Sequence, residues 1–505
     1  MKSTKILSLL LILVTVIGLL SGCFAEMLAG NDTTFAFDDV SPETKGDFIP
    51  VIDDKIYNFG TVHGVTWQWG GKADPTNEDA VRREEELNSM YHLDTGNTRE
   101  CVKFIYSYDT VGKLHRQEKL PTVFRVSSTD LPRLMNAGWS RDITACVEHL
   151  GISPEDFNQT FMDFCKDKEG NIYGLPHLQA FSMCLVVNGA LYKEAGIVDA
   201  NGEPIPPKTW DELIEQSETI FYETGISGLA VPAADLQGSW FFTNIAWNYG
   251  ADLCVWNEDT VKFESNIDTP ETIAALEWYK TACQSVSLAG SPAALDRKDI
   301  ENMLKDGVCA IILEATDVAP QLTDITNGGM KASDIYYFNM PAGPGGHQYN
   351  EAGGSFYWFS STATDEQVVA ALEYLMYTGN FSQEWDEENK NASVKTWSDK
   401  KVREIVQLPA VPVYHAPWQD EYIDMLLNTA GGNGELYNFD TQFKPVYDYI
   451  QQPGSIHLDE EFATYNLYTE LSAILKVIST DPFCDTAELA AQADANYARQ
   501  LDDLQ

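Results

Sequence analysis

The residues of this chain best suited to chemistry are flat aromatics set beside planar amides and carboxylates. Trp67-Gln68-Trp69 puts two indoles and an amide into one tripeptide. Gln179 follows a Leu-Pro step, and Asp235 opens Asp235-Leu236-Gln237-Gly238-Ser239-Trp240, with Trp247 and Tyr249 just beyond. Glu314 and Asp317 close an apolar run, and Tyr357-Trp358 lies inside another. An indole face packs against C–H surface, while amides and carboxylates make directional hydrogen bonds. Together they suit a small solute with apolar faces and hydroxyl edges. Several of these aromatics would serve equally as core, Trp247 and Trp358 above all.

Signatures of catalysis and of cofactors do not appear. Gly71-Lys72 and Gly112-Lys113 lack the upstream glycine of a nucleotide-phosphate loop, and Gly343 to Gly346 has the wrong spacing for a dinucleotide turn. There is no His-Glu-x-x-His, Cys-x-x-Cys or Gly-x-Ser-x-Gly. The eight histidines are scattered, so neither metal nor cofactor is expected. Asp167-Lys168-Glu169-Gly170 fails as a calcium loop, because Cys165 and Pro176 occupy ligand positions. A secreted glycoside hydrolase would need two carboxylates flanking one bond. With 76 acidic residues, sequence cannot single out such a pair. Binding without turnover is the expectation.

The N-terminus carries a different signal. Lys2 and Lys5 precede the apolar run Ile6 to Leu20, which is short for a membrane span and reads as a secretory signal over 1–22. It ends at Leu20-Ser21-Gly22-Cys23, which resembles the lipobox of bacterial lipoproteins. That resemblance implies lipidation at Cys23 and a chain held at the outer face of the cell membrane. Residues 23–50, rich in turn formers, read as a tether. A formal net charge of −43 repels nucleic acid and gives no help to anionic ligands, while leaving neutral sugars unaffected. Of nine cysteines, those inside apolar runs, such as Cys184 and Cys309, read as buried thiols. At most one or two disulfides are expected.

Elements able to position the chemical residues can be read from local signals. Candidate strands are Lys55–Trp67, Val102–Tyr106, Val123–Val126, Val308–Leu313, Ile335–Met340 and Ser355–Ser361. Thr209-Trp210-Asp211-Glu212 and Thr364-Asp365-Glu366-Gln367 are capping boxes, and Thr269-Pro270 starts a third helix. This alternation predicts an α/β fold with mainly parallel sheets.

The middle of the chain adds an ordered string of motifs. Asn171-Ile172-Tyr173-Gly174-Leu175-Pro176 is followed by Leu185-Val186-Val187-Asn188, Leu191 to Ile197, and Pro206-Pro207-Lys208-Thr209-Trp210-Asp211-Glu212-Leu213. Asp306 to Ile312 and Met340-Pro341-Ala342-Gly343-Pro344-Gly345-Gly346 continue it. The string resembles the bacterial extracellular solute-binding proteins of the maltose-binding-protein-like type, over roughly residues 50–480. Val187 and Gly189-Ala190 depart from the usual pattern. The resemblance implies a two-lobed periplasmic-binding-protein-like fold (type II), with lobe one at 50–172 plus 333–378 and lobe two at 173–332 plus 379–505. It also implies a carbohydrate clamped in a central cleft and delivered to the membrane subunits of an ABC importer by a monomer. Another small solute, or a sensor partner, is the alternative. On this resemblance the ligand contacts are Trp67, Gln68, Trp69, Gln179, Asp235, Trp240, Trp247, Glu314, Asp317 and Trp358, with Trp418 a further candidate.

Overall fold

Three threonine caps set the helical framework. Thr209 Oγ1 accepts from Glu212 N (3.2 Å) at the start of a helix over Trp210–Thr224. The Glu212 carboxylate reaches past the cap to Lys208 N at 2.7 Å. Thr269 Oγ1 accepts from Thr272 N (3.2 Å), with Pro270 in the first turn. Thr364 and Gln367 bond reciprocally, at 3.3 and 2.8 Å. Each bond satisfies an amide that the first helical turn would otherwise leave open.

The computed structural model describes residues 108–377 and 437–505 apart from 119, 121, 128–130, 178–179, 235, 325–327 and 461. It also describes 51–52, 55–56, 381 and parts of 404–428. The signal segment, Cys23, the tether, Trp67, Gln68, Trp69, Cys101, the strand expected at 102–106, Gln179 and Asp235 lie outside the described residues.

The strands are β1 (Val51–Ile52), β2 (Lys55–Ile56), β3 (Val123–Ser127), β4 (Gly174–Pro176), β5 (Phe181–Asn188), β6 (Ser227–Ala230), β7 (Cys254–Asn257), β8 (Lys262–Ser265), β9 (Cys309–Ala315), β10 (Ile335–Phe338), β11 (Asn350–Gly353), β12 (Ser355–Phe359) and β13 (Ile456–His457). The principal helices are α1 (Leu131–Asn136), α2 (Trp210–Thr224), α3 (Leu236–Asn248), α4 (Pro270–Gln284), α5 (Arg297–Lys305), α6 (Asp365–Tyr377), α7 (Thr464–Thr480) and α8 (Thr486–Leu504).

Two sheets carry the architecture. One is three-stranded, in the order β3-β12-β4. The other is six-stranded, in the order β13-β11-β5-β9-β6 with β10 also on β5. The expectation of mainly parallel pairing is corrected. β5 runs antiparallel to β9, β10 and β11, and β12 runs antiparallel to β3 and β4. Only β6 with β9 and β11 with β13 are parallel among the described pairs. β5 and β12 follow the points where the chain passes from one sheet to the other, and such strands run against their neighbours.

Sheet membership also departs from the boundaries read in the sequence. β4, expected with lobe two, pairs with β12. β10 and β11, expected with lobe one, pair with β5. The changes of sheet therefore fall at 177–180 and at Gly354, later in the chain than 172 and 332. The tight M-P-x-G turn has a packing reason: a side chain at Gly343 would run into the carbonyl of Asn248 at the end of α3.

Candidate functional site

Three strand ends converge where the chain changes sheets. Phe181 opens β5 and pairs with Gly353, the last residue of β11. Cys184 and Met183 pair with Glu314 and Ala315, the last residues of β9. Gly353 is required here, because a Cβ would enter the Phe181 ring. His177 lies on the short link before β5, and its amide donates to Ser355 O (2.9 Å) at the start of β12. The His177 ring sits edge-on to Tyr357, 5.2 Å between centroids, and accepts from Arg125 Nη1 at 3.4 Å.

Helix α3 brings Trp240 and Asn244 over this edge, one turn apart and on one face. Trp240 is half-buried. Its indole Nε1 donates to Glu351 on β11, and Asn244 Nδ2 donates to the other Glu351 oxygen at 2.8 Å. Phe181 meets the indole edge-on at 6.0 Å, and the Arg297 guanidinium lies 5.6 Å from its centroid. The indole is thus fixed by a hydrogen bond at its nitrogen and by ring and cation contacts around it.

Arg297, the first residue of α5, reaches the end of β9. Its Nε and Nη2 donate to the two oxygens of Glu314, at 3.0 and 2.6 Å. Glu314 is fully buried, and one of its oxygens also accepts from Ala315 N at 2.7 Å. Burial pushes its carboxyl up to about 7, against the pull of Arg297. Glu301 lies 3.4 Å and Asp317 3.7 Å from the same guanidinium. The Asp317 side chain is 58% exposed, so it is a carboxylate available to a solute.

A second line of buried acids lies behind Trp240. Glu351 is pushed well up by burial and by its neighbour Asp459, to which it hydrogen-bonds. Tyr468 OH donates to Asp459 in turn. Glu460 accepts from Trp247 Nε1 (2.9 Å) and Leu253 N (3.3 Å), and burial pushes it up to about 8. His457 stacks on Trp247 at 4.1 Å, and burial holds it down to about 4. These groups support the site from within rather than facing it.

The sequence candidates therefore divide. Trp240 and Asp317 come together at the strand ends. Glu314 joins them only through Arg297, because it has no exposed surface of its own. Trp247 and Trp358 are corrected: at 1% and 0% exposure, neither presents a face to a solute. Trp358 packs against Gly174. Trp418 stands edge-on to Tyr422 at 6.2 Å, in the turn just before a separate helix over Gln419–Asn428. Arg297, Asn244, Glu351 and Phe181 escaped sequence reading. The only local signal at Arg297 is the Asp296–Asp299 capping box, which announces a helix and not a site.

A sequence profile described as bacterial extracellular solute-binding protein matches residues 102–380, more than half of the chain. The chain belongs to this family. Solved structures carry the fold beyond the matched segment. The GacH receptor of Streptomyces glaucescens, determined unliganded and with acarbose, aligns over 86% of this chain and all of its own, with TM-score 0.58 and 16% identity. The cyclic alpha-maltosyl-1,6-maltose binding protein of Arthrobacter globiformis aligns over 86% and 98%, with TM-score 0.55 and 17% identity. UgpB of Mycobacterium tuberculosis, in complex with glycerophosphocholine, aligns over 85% and 96%, with TM-score 0.59 and 16% identity. The fold is the two-lobed one of periplasmic-type binding proteins. In this solute-binding protein, no group of three or more His, Cys, Asp or Glu residues could hold a metal ion among the described residues.

Proposed function

We propose that this protein captures a neutral carbohydrate between its lobes and hands it to the membrane subunits of an ABC importer. The observation that carries the reading is Trp240: a half-buried indole, fixed at its nitrogen by Glu351 and flanked by Arg297 and exposed Asp317, beside the change of sheets. A sugar stacks its C–H face on such a platform and gives its hydroxyls to the carboxylate and to the amides expected nearby. Lobe one is built on β3-β12-β4 and lobe two on the six-stranded sheet, with Trp67, Gln68, Trp69, Gln179 and Asp235 completing the cleft. The excess of acidic residues disfavours anionic solutes. Cys23 carries the lipid that keeps a monomer at the outer face of the membrane.

Binding rather than turnover is the proposed activity. Each buried carboxyl is already engaged: Glu314 by Arg297, Glu351 by Trp240 and Asn244, and Glu460 by Trp247. The test is melting of the purified chain with maltotriose, glucose, glycerophosphocholine and an acidic disaccharide. A ligand at about 100 times its Kd adds about 2.7 kcal/mol, about 3 °C for a chain of this size. A shift with a neutral glycan that is recovered intact supports the proposal. A shift confined to glycerophosphocholine, or hydrolysis of the glycan, overturns it.

A further inference from the structure

The bodies built on the two sheets also touch through side chains that lie on neither crossing segment. Lys168 sits in the turn that leads into β4, and its Nζ lies 3.4 Å from the centroid of Trp256 on β7. Arg133 on α1 stacks over Tyr108 at 3.7 Å and lies 5.7 Å from the ring of Phe462, which precedes α7. The two aromatic targets belong to one cluster. Phe462 stacks on Phe263 of β8 at 4.9 Å, and Trp256 meets Phe263 edge-on at 5.1 Å.

Both sides of this contact are held firmly. Asp167 accepts from Glu169 N (3.0 Å), Asn171 N (2.8 Å) and Asn171 Nδ2 (2.9 Å), which fixes the turn that presents Lys168. On the other body, Phe263 N donates to Gln505 Oε1 (2.7 Å) and Lys262 pairs with Asp502 (3.1 Å), tying the β7–β8 hairpin to α8. Charge makes the choice of residues informative. The chain has 76 acidic and 33 basic residues, so two such bodies repel on approach. Both contacts nevertheless place a cation on a ring. A cation over an aromatic face gains attraction without closing an ion pair, and it stays weak enough to release.

We propose that Lys168 and Arg133 form a two-point cation–π latch onto the Trp256–Phe263–Phe462 cluster, which holds the lobes together even without solute. The latch acts on the two-lobed fold and is independent of which solute is bound. Small-angle scattering of the ligand-free chain tests it, comparing wild type with Lys168→Met, Trp256→Leu, the double variant and Lys168→Arg. Lys168 is exposed, so its replacement leaves the core intact; circular dichroism and melting check this for every variant. Each single change is expected to enlarge the radius of gyration, the double variant no further than either alone, and Lys168→Arg to stay at the wild-type value. Release of maltotriose should quicken by about two- to fivefold in Lys168→Met. Superimposable scattering from all variants, or additive expansion in the double one, overturns the latch. If maltotriose does not bind, scattering still decides, so the latch and the sugar reading fail separately.

Discussion

Replacing Arg297 by methionine isolates what holds the floor of the site. Glu314 would keep its burial and the Ala315 amide but lose both guanidinium bonds, at 3.0 and 2.6 Å. Breaking a buried pair from one side costs about 3–5 kcal/mol if the remaining charge stays. Here the carboxyl can escape by taking up a proton, since burial already pushes it up to about 7 with Arg297 present. Without the cation it rises further, so the variant folds with Glu314 neutral. A carboxyl raised in the folded state contributes its stability below the unfolded value near 4.5 and loses it as pH climbs through the folded value. Each pH unit in that window shifts the folding equilibrium about tenfold. The defect of Arg297→Met relative to wild type should therefore be small up to about pH 7, where the Glu314 carboxyl of both is still protonated, and grow to about 1.4 kcal/mol, about 1 °C in melting, by about pH 8. Adding Glu314→Gln should remove most of that pH dependence. Parallel melting profiles of wild type and Arg297→Met across this range would refute the reasoning, because they would mean that Glu314 stays hydrated without its partner.

Trp240→Ala should weaken solute binding about tenfold or more by calorimetry, with Trp240→Phe between it and wild type; equal affinities would remove the indole from the site. Glu460→Gln keeps an oxygen for Trp247 Nε1 and removes a carboxyl pushed up to about 8. The variant should match wild type in melting below about pH 4.5 and exceed it increasingly as pH rises to about 8, the window over which the raised carboxyl is lost as a stabiliser. His457 is held down to about 4, so its ring should stay neutral by NMR through the range in which a free histidine titrates, and its contribution should vanish only as pH falls toward that value. Thr209→Ala removes one cap and should cost about 1 kcal/mol, about 1 °C, without altering affinity.

Much of the frame was legible locally. The caps at Thr209, Thr269 and Thr364 act through side-chain bonds to amides three residues on, so spacing alone announces them. Cys309–Ala315, Val123–Ser127 and Ser355–Phe359 are apolar runs that cannot be left in water, and they were readable as strands within a residue or two. The order of the motifs carried the family. Which sheet each strand joins was not legible. β4 and β10 make their decisive bonds with partners far along the chain, and nothing within either segment encodes that choice.

The site divides in the same way. Residue type made Trp240 and Asp317 candidates, because an indole and a carboxylate have those capacities wherever they stand. The same rule also promoted Trp247 and Trp358, which the core consumed, since an apolar ring is drawn as readily into the interior as to a ligand. Arg297 and Glu351 became visible only when β9 and β11 were laid beside β5 and α3 was set over them. By itself, the sequence determined which capacities exist and which short segments fold on local bonds. The tertiary structure decided which capacities meet, and which are spent on packing, because register between distant strands and burial of charge are properties of the assembled whole.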